Sequence, residues 1–204
     1  RLGALSIIQL RDEVGLEPLS ICSLLARLGT SDPIESFASH APLIESFDIS
    51  KFGRGTPKFD QEELLRLNSK LIHELDYSAA KIRLAQIGLE EVTEDFWNVV
   101  RPNLEKITDI KDWWTVANGP VTPVVNDNEF AAKAIELMPP APWTPETWKE
   151  WTGAIKAETG RKGKELFMPL RQALTGTDHG PELGDLLPLI GPEKAKARLS
   201  KQAA

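Results

Sequence analysis

The chain has 204 residues, of which 41% are hydrophobic and 26% charged; this is the ordinary balance of a globular protein and excludes a disordered or low-complexity chain. No apolar run approaches the roughly 20 residues of a membrane helix, and no secretory signal opens the chain, so no membrane partner is expected. The net charge of −6 argues mildly against a nucleic-acid binder as a whole, yet residues 151–204 carry nine lysines and arginines against six acids, and it is the local field that a polyanion meets.

In chain order the signals are almost all helical. Arg1, rather than methionine, enters a loop-like stretch without a helix cap, which predicts an excised piece of something longer. Leu5, Ile8 and Val14 form a first short apolar stripe ended at Gly15. Pro18 then marks the first turn of a helix with an apolar face of Leu19, Cys22, Leu25, Ala26 and Leu28, and Gly29 caps its end. On that reading Cys22, the single cysteine, is a core residue, and the absence of a second thiol fits a reducing cytoplasm. Ser31-Asp32-Pro33 predicts another short helix, and Phe47 to Asp60 reads as loop with at most one small strand pair.

Asp60 begins the clearest helix, with Glu63 at the capping-box position and Leu64, Leu67, Leu71, Ile72 and Leu75 along one stripe. Ala79–Ile87, Thr93–Val100, Leu104–Val116 and Phe130–Leu137 predict four more. Pro139-Pro140-Ala141-Pro142 is a linker, and Thr144-Pro145 caps a helix with Trp148, Trp151 and Ile155 on one face. Gly160–Gly163 is a basic glycine turn, Leu166–Leu174 a helix stopped at Thr175-Gly176, and Pro181 and Gly191-Pro192 open the last two. The expectation is an all-α chain of roughly ten helices. Its organisation is expected as a region 1–75 followed by two small helical bundles, 76–139 and 140–204.

The residues offer little chemistry. His40, His73 and His179 have no metal-ligand spacing with one another or with Cys22. Acid pairs such as Glu62-Glu63 and Glu94-Asp95 fall in first turns, where carboxylates complement the helix dipole. There is no strand, glycine loop and helix unit and no nucleophile elbow. Of the six tryptophans, Trp97, Trp113, Trp114, Trp148 and Trp151 read as core, while Trp143, in the linker, is expected to be the most exposed. Two classes open on these residues are a helical protein-interaction module and a small enzyme; the second would need a pocket that these residues do not predict.

One segment is more specific. Gly160-Arg161-Lys162-Gly163-Lys164, leading through Pro169-Leu170-Arg171-Gln172-Ala173-Leu174-Thr175-Gly176, resembles the anticodon-binding domain of bacterial glutamyl-tRNA synthetases. Gly180-Pro181-Glu182-Leu183, Leu186-Leu187 and Ile190-Gly191 look like that family's closing helices. Phe59-Asp60 and Leu67-Asn68-Ser69-Lys70-Leu71-Ile72 are similar to its stem-contact region. Arg1-Leu2-Gly3-Ala4-Leu5-Ser6-Ile7 is similar to the segment after the KMSKS-type loop in α-proteobacterial-like members. Glutaminyl-tRNA synthetases are set aside, because their C-terminal part is built of β-barrels.

The resemblance implies a tRNA partner, of the glutamate isoacceptors and, if discrimination is relaxed, the glutamine ones, bound by a monomer. It implies no cofactor for this chain, with ATP and Mg belonging to a catalytic domain before Arg1. By the same resemblance Arg171 contacts the first anticodon base, and Gly180, Pro181 and Leu183 line the middle one. The family's third-base arginine follows an arginine-proline pair; here Arg101-Pro102 is followed by Asn103, which predicts relaxed discrimination with Arg101 or Lys106 as a substitute cation. Arg161, Lys162 and Lys164, together with Lys51, Arg54 and Lys58 in the stem-contact loop, are expected at tRNA phosphates.

Overall fold

The computed structural model describes residues 6–37 and 39–204; the opening Arg1-Leu2-Gly3-Ala4-Leu5 match lies outside them. Every regular element among the described residues is helical, twelve α-helices joined by short 3-10 turns, so the chain is all-α. It forms two compact units, one of residues 1–92 with 101–110 and one of residues 93–100 with 111–204.

In the first unit, α1 (Ile7–Asp12) starts at a capping box: Gln9 N–H donates to Ser6 Oγ at 3.1 Å and Ser6 N–H to Gln9 Oε1 at 2.8 Å. Ser6-Ile7-Ile8-Gln9 therefore held a cap signal that the stripe of apolar residues concealed. Ile8 is exposed, and Leu10 faces the core instead. Helix α2 (Pro18–Arg27) has proline at its first position, where the missing N–H costs nothing.

The buried face of α2 is Ser20, Ile21, Ser23, Leu24 and Arg27, and Cys22 is exposed. The apolar count turned this helix the wrong way because long-range hydrogen bonds, not hydrophobicity alone, choose its inner face. Ser20 Oγ donates to Asn68 Oδ1 at 3.0 Å, and Arg27 donates to Asp32 at 3.1 Å and to Ser46 Oγ at 2.6 Å. Asp32 is thereby drawn into ion pairs with Arg27 and Lys51, and residues 33–37 form no helix.

Short α3 (His40–Glu45) and a 3-10 turn at Ile49–Lys51 follow, with no strand in the 47–60 loop. Helix α4 (Gln61–Glu74) is capped by the Asp60 carboxylate, which accepts from Glu62 N–H at 2.9 Å and Glu63 N–H at 3.2 Å. Leu64 and Leu67 of α4 pack with Leu10, Leu16, Ile21 and Leu24. Asn68, fully buried, ties three segments together: it accepts from Glu17 N–H at 2.8 Å and from Ser20, and donates to Glu105 O at 2.7 Å. Helix α5 (Tyr77–Gln86) places Arg83 against Glu17, with N–O distances of 2.7 and 2.9 Å.

The helix expected over Leu104–Val116 begins only at Ile110, as α7 (Ile110–Asn118), after 3-10 turns at Arg101–Asn103 and Ile107–Asp109. Its missing first turns have a cause in hydrogen bonding. The Leu104 and Glu105 carbonyls bond His73 Nε2 and Asn68 Nδ2, and the N–H groups of Glu105 and Lys106 donate to the Asp109 carboxylate, so the backbone groups of this segment are satisfied without an i to i+4 ladder.

The second unit comprises α6 (Glu94–Val100), α7 from Lys111 on, α8 (Asn128–Glu136), α9 (Pro145–Thr159), α10 (Lys164–Thr175), α11 (Leu183–Ile190) and α12 (Pro192–Leu199). Its core is built from Phe96, Trp97, Trp151, Ile155, Leu166, Leu170, Leu174 and Leu187, all buried. Trp151 donates its indole N–H to Ala134 O at 2.9 Å, which satisfies the polar end of a fully buried ring. Trp143 is also buried and donates to Pro139 O at 3.0 Å; the linker tryptophan folds back into the core because its ring packs on Trp151, 5.9 Å away. The half-buried tryptophans are Trp114 and Trp148.

Gly160 and Gly176, at φ of 71° and 73°, end α9 and α10 in the left-handed conformation that an L side chain resists. Buried Arg198 on α12 donates to Leu174 O at 2.6 Å and to Ala204 O at 2.7 Å. Burial lowers its pKa to about 10, so it remains a cation that pins α12 to the end of α10.

Candidate nucleic-acid interface

In the second unit the basic glycine turn and the loop after α10 are brought together by α10 itself. Gly163, at φ 53°, leads into Lys164 at the first helical position, and Lys162 and Lys164 are both exposed. Two turns on, Arg171 is half-buried and donates from Nη2 to Pro181 O at 2.9 Å. Its Nη1 is buried without a hydrogen-bond partner. Burial lowers the Arg171 pKa and the nearby Glu182 charge opposes that shift; a guanidinium stays charged regardless.

The loop between α10 and α11 is braced from within. Thr175 Oγ1 donates to Arg171 O at 2.8 Å and accepts from Thr177 N–H at 3.2 Å, and Thr177 Oγ1 donates to His179 O at 2.9 Å. His179 is exposed, hydrogen-bonded to Asp178 at 2.9 Å and edge-on to Trp113 with ring centroids 6.3 Å apart. That hydrogen bond is the main reason the Asp178 carboxyl sits below its ordinary pKa, with the Lys164 charge adding to it. Gly180 lies against Trp113, and the side chains of Pro181 and Leu183 are buried. The loop thus projects the exposed side chains of Asp178, His179 and Glu182, while Pro181 and Leu183 turn inward and Arg171 is tied to the Pro181 carbonyl.

Other candidates are engaged elsewhere. Arg161 donates to Asp127 and lies over the Phe130 ring, 4.4 Å from its centroid, so its guanidinium braces α8. In the first unit Arg101 donates to Leu75 O at 2.9 Å, while Asn103 is exposed on the 3-10 turn beside it. Lys51 pairs with Asp32 at 2.9 Å; Arg54 and Lys58 are exposed in the loop before Asp60. Among the described residues no three of His, Cys, Asp or Glu gather into a metal-binding group, and no helix is long and apolar enough to cross a membrane.

Residues 90–203 match the family described as the anticodon binding domain. The chain belongs to that family. Its curated relatives include glutamate–tRNA ligase 1 of Maricaulis maris, 49% identical over 204 residues, and the glutamate–tRNA ligase of Azospirillum brasilense, 50% identical over 204 residues. Each match takes in 100% of this chain and 46% of the relative, so the chain spans about half the length of the curated relatives it matches. The fold is shared with the crystal structure of the glutamate-tRNA synthetase of Elizabethkingia anophelis, at a TM-score of 0.72 and 22% identity, covering 94% of this chain and 41% of that one.

The anticodon binding domain match takes in Arg101, Asn103, Arg161, Lys162, Lys164, Arg171, Gly180, Pro181 and Leu183; Lys51, Arg54 and Lys58 precede it. Within the anticodon binding domain, residues with the sequence signals of a core ring, a helix stop and a solvated histidine gather around one loop. Trp113 against Gly180, the Thr175–Thr177 brace and His179 shape the loop. The only local trace of this was a glycine-proline pair following Thr-Asp-His; the approach of Trp113 is a long-range contact with no sequence signature.

Proposed function

We propose that this chain binds the anticodon loop of a tRNA in the cytoplasm, as the monomeric RNA-binding part of a glutamate–tRNA ligase. The observation that carries the reading is Arg171, which lies half-buried within the anticodon binding domain match and is held by Pro181 O on one nitrogen. A guanidinium fixed in this way has a planar donor edge and a flat face, which is what an unstacked base can bond or stack on. Gly180, whose side-chain position is filled by the Trp113 ring, presents its backbone beside Pro181; Lys162 and Lys164 at the start of α10 supply phosphate contacts, and Arg54 and Lys58 serve the same end in the first unit.

Asn103 takes the third base, exposed and with an amide that can donate or accept, so the domain accepts glutamate and glutamine tRNAs with little preference. Activation of the amino acid with ATP and Mg belongs to the part of the ligases that this chain does not span.

The test is a titration of end-labelled tRNA transcripts, and of their isolated anticodon stem-loops, with the chain at several salt concentrations. Binding should weaken linearly in log–log form, with a slope of roughly 0.7 for each phosphate neutralised on a single strand. Affinity that ignores salt, or that is equal for an unrelated hairpin, overturns the reading. A large preference for the glutamate over the glutamine transcript removes the role given to Asn103 alone.

A further inference from the structure

In the second unit a file of aromatic rings runs from the core to the surface. Trp143 packs on Trp151, and Trp151 meets Trp148 edge-on at 6.3 Å. Trp148 in turn lies 6.1 Å from Phe167, their planes 38° apart. Burial falls along the file: Trp151 is fully buried, Trp148 half-buried, and Phe167 is 42% exposed. Gly184 of α11 backs Trp148, where an added Cβ would come 3.6 Å from the indole Cδ1.

An exposed phenylalanine is common, but the neighbours of this one are particular. Lys164, Phe167 and Arg171 follow at i, i+3 and i+7 on α10, so they share one stripe of its surface. The ring is therefore flanked by a cation about one turn before it and another about one turn after it. The second of these, Arg171, bonds Pro181 at the head of α11, the helix whose Gly184 supports Trp148. Glu182 offsets part of the Arg171 charge and Asp178 part of the Lys164 charge, and neither cation forms an ion pair among the described residues. Flat aromatic faces between cations are the arrangement that takes single-stranded nucleic acid, the bases stacking and the phosphates pairing.

We propose that Phe167, backed by Trp148, is a stacking platform for an unpaired base of the RNA that this domain binds. The inference rests on the RNA-binding reading above and extends its interface along α10 past Arg171. The rigid file behind Phe167 fixes the angle of its ring, and Lys164 and Arg171 hold the phosphates to either side of the stacked nucleotide.

The experiment compares the chain with Phe167→Leu and Phe167→Tyr, by fluorescence anisotropy on the labelled anticodon stem-loop and on copies with one loop base removed at a time. Phe167→Leu keeps apolar cover over Trp148 but loses the ring, and affinity should fall roughly 5- to 150-fold, the range of base–aromatic stacking. Phe167→Tyr should bind like the parent. One abasic position should weaken the parent by a similar factor and leave Phe167→Leu unchanged. Equal affinity of Phe167→Leu and the parent, or no abasic position that separates them, overturns the platform while the RNA-binding reading stands. Failure of the parent to bind any stem-loop in a salt-sensitive way overturns both. Should Phe167→Leu fail to fold, the abasic series on the parent and Phe167→Tyr still decides, because a platform requires one base whose removal costs both of them affinity.

Discussion

Trp113 lies on Gly180 so closely that a Cβ at residue 180 would come 1.9 Å from the indole Cη2. The glycine also sits at φ 121°, where L side chains are strained. The loop between α10 and α11 is thus shaped by a ring on α7 that admits no side chain. Gly180→Ala should destabilise the second unit by about 2–4 kcal/mol, from overpacking and backbone strain together, as read by urea denaturation. In a Trp113→Ala background the same substitution should cost about 1–2 kcal/mol less, since the clash is gone. Additive costs in this cycle would show that the contact does not shape the loop.

Arg171 makes a different kind of contact, one nitrogen of which is engaged by Pro181 O. Arg171→Ala should weaken binding of the anticodon stem-loop by on the order of tenfold and flatten its preference at one anticodon position. Arg171→Lys should not restore either property, because a point ammonium cannot hold the carbonyl and a base edge at once. Full recovery by lysine, in a panel of single-base variants, would mean that only the charge matters.

Asn68 closes the first unit. Replacing it by leucine fits the volume but leaves Glu17 N–H, the Ser20 hydroxyl and Glu105 O without their partner. Each orphaned buried group costs about 1–3 kcal/mol, less where water reaches it, so Asn68→Leu should lose about 2–5 kcal/mol. Hydrogen exchange at the Glu17 amide, which should accelerate in step, reads this directly.

Asp127 carries an acid-side signature. Its carboxylate accepts from Phe130 N–H at 3.0 Å and pairs with Arg161, and these two, in that order, hold its pKa below the ordinary 3.8. A depressed folded-state value gives stability that is present above the unfolded pKa and lost as pH falls through the folded one. The melting temperature of Asp127→Ala should therefore lie furthest below that of the parent at neutral pH, and the gap should narrow from about pH 4 downward. A gap that persists unchanged at pH 2 would assign the loss to packing instead.

Much of the architecture was legible in local signals. Pro18, Asp60, Thr144-Pro145, Gly160, Gly176 and Pro192 start or stop helices where their backbone chemistry requires. The 3.6-residue stripe of α4 is buried as read, at Leu64, Leu67, Leu71 and Ile72. The stretch Leu67-Asn68-Ser69-Lys70-Leu71-Ile72, which carried a family resemblance, owes part of it to Asn68, the residue that ties α2 and Glu105 to α4. Arg161, by contrast, read as a free cation in a basic turn, and the fold turns it onto Asp127 and Phe130.

Caps, glycine stops and hydrophobic period act within a few residues of chain, so the helical class, most helix ends and the residues that carry the family resemblance are written in the sequence. The inward face of α2, the late start of α7 at Ile110 and the choice of which cations stay exposed are not. Those outcomes depend on partners far apart in the chain: Ser20 with Asn68, His73 with Leu104 O, Arg161 with Asp127, Trp113 with Gly180. A buried donor or acceptor must be satisfied wherever its partner lies, and that requirement has no short-range pattern to read.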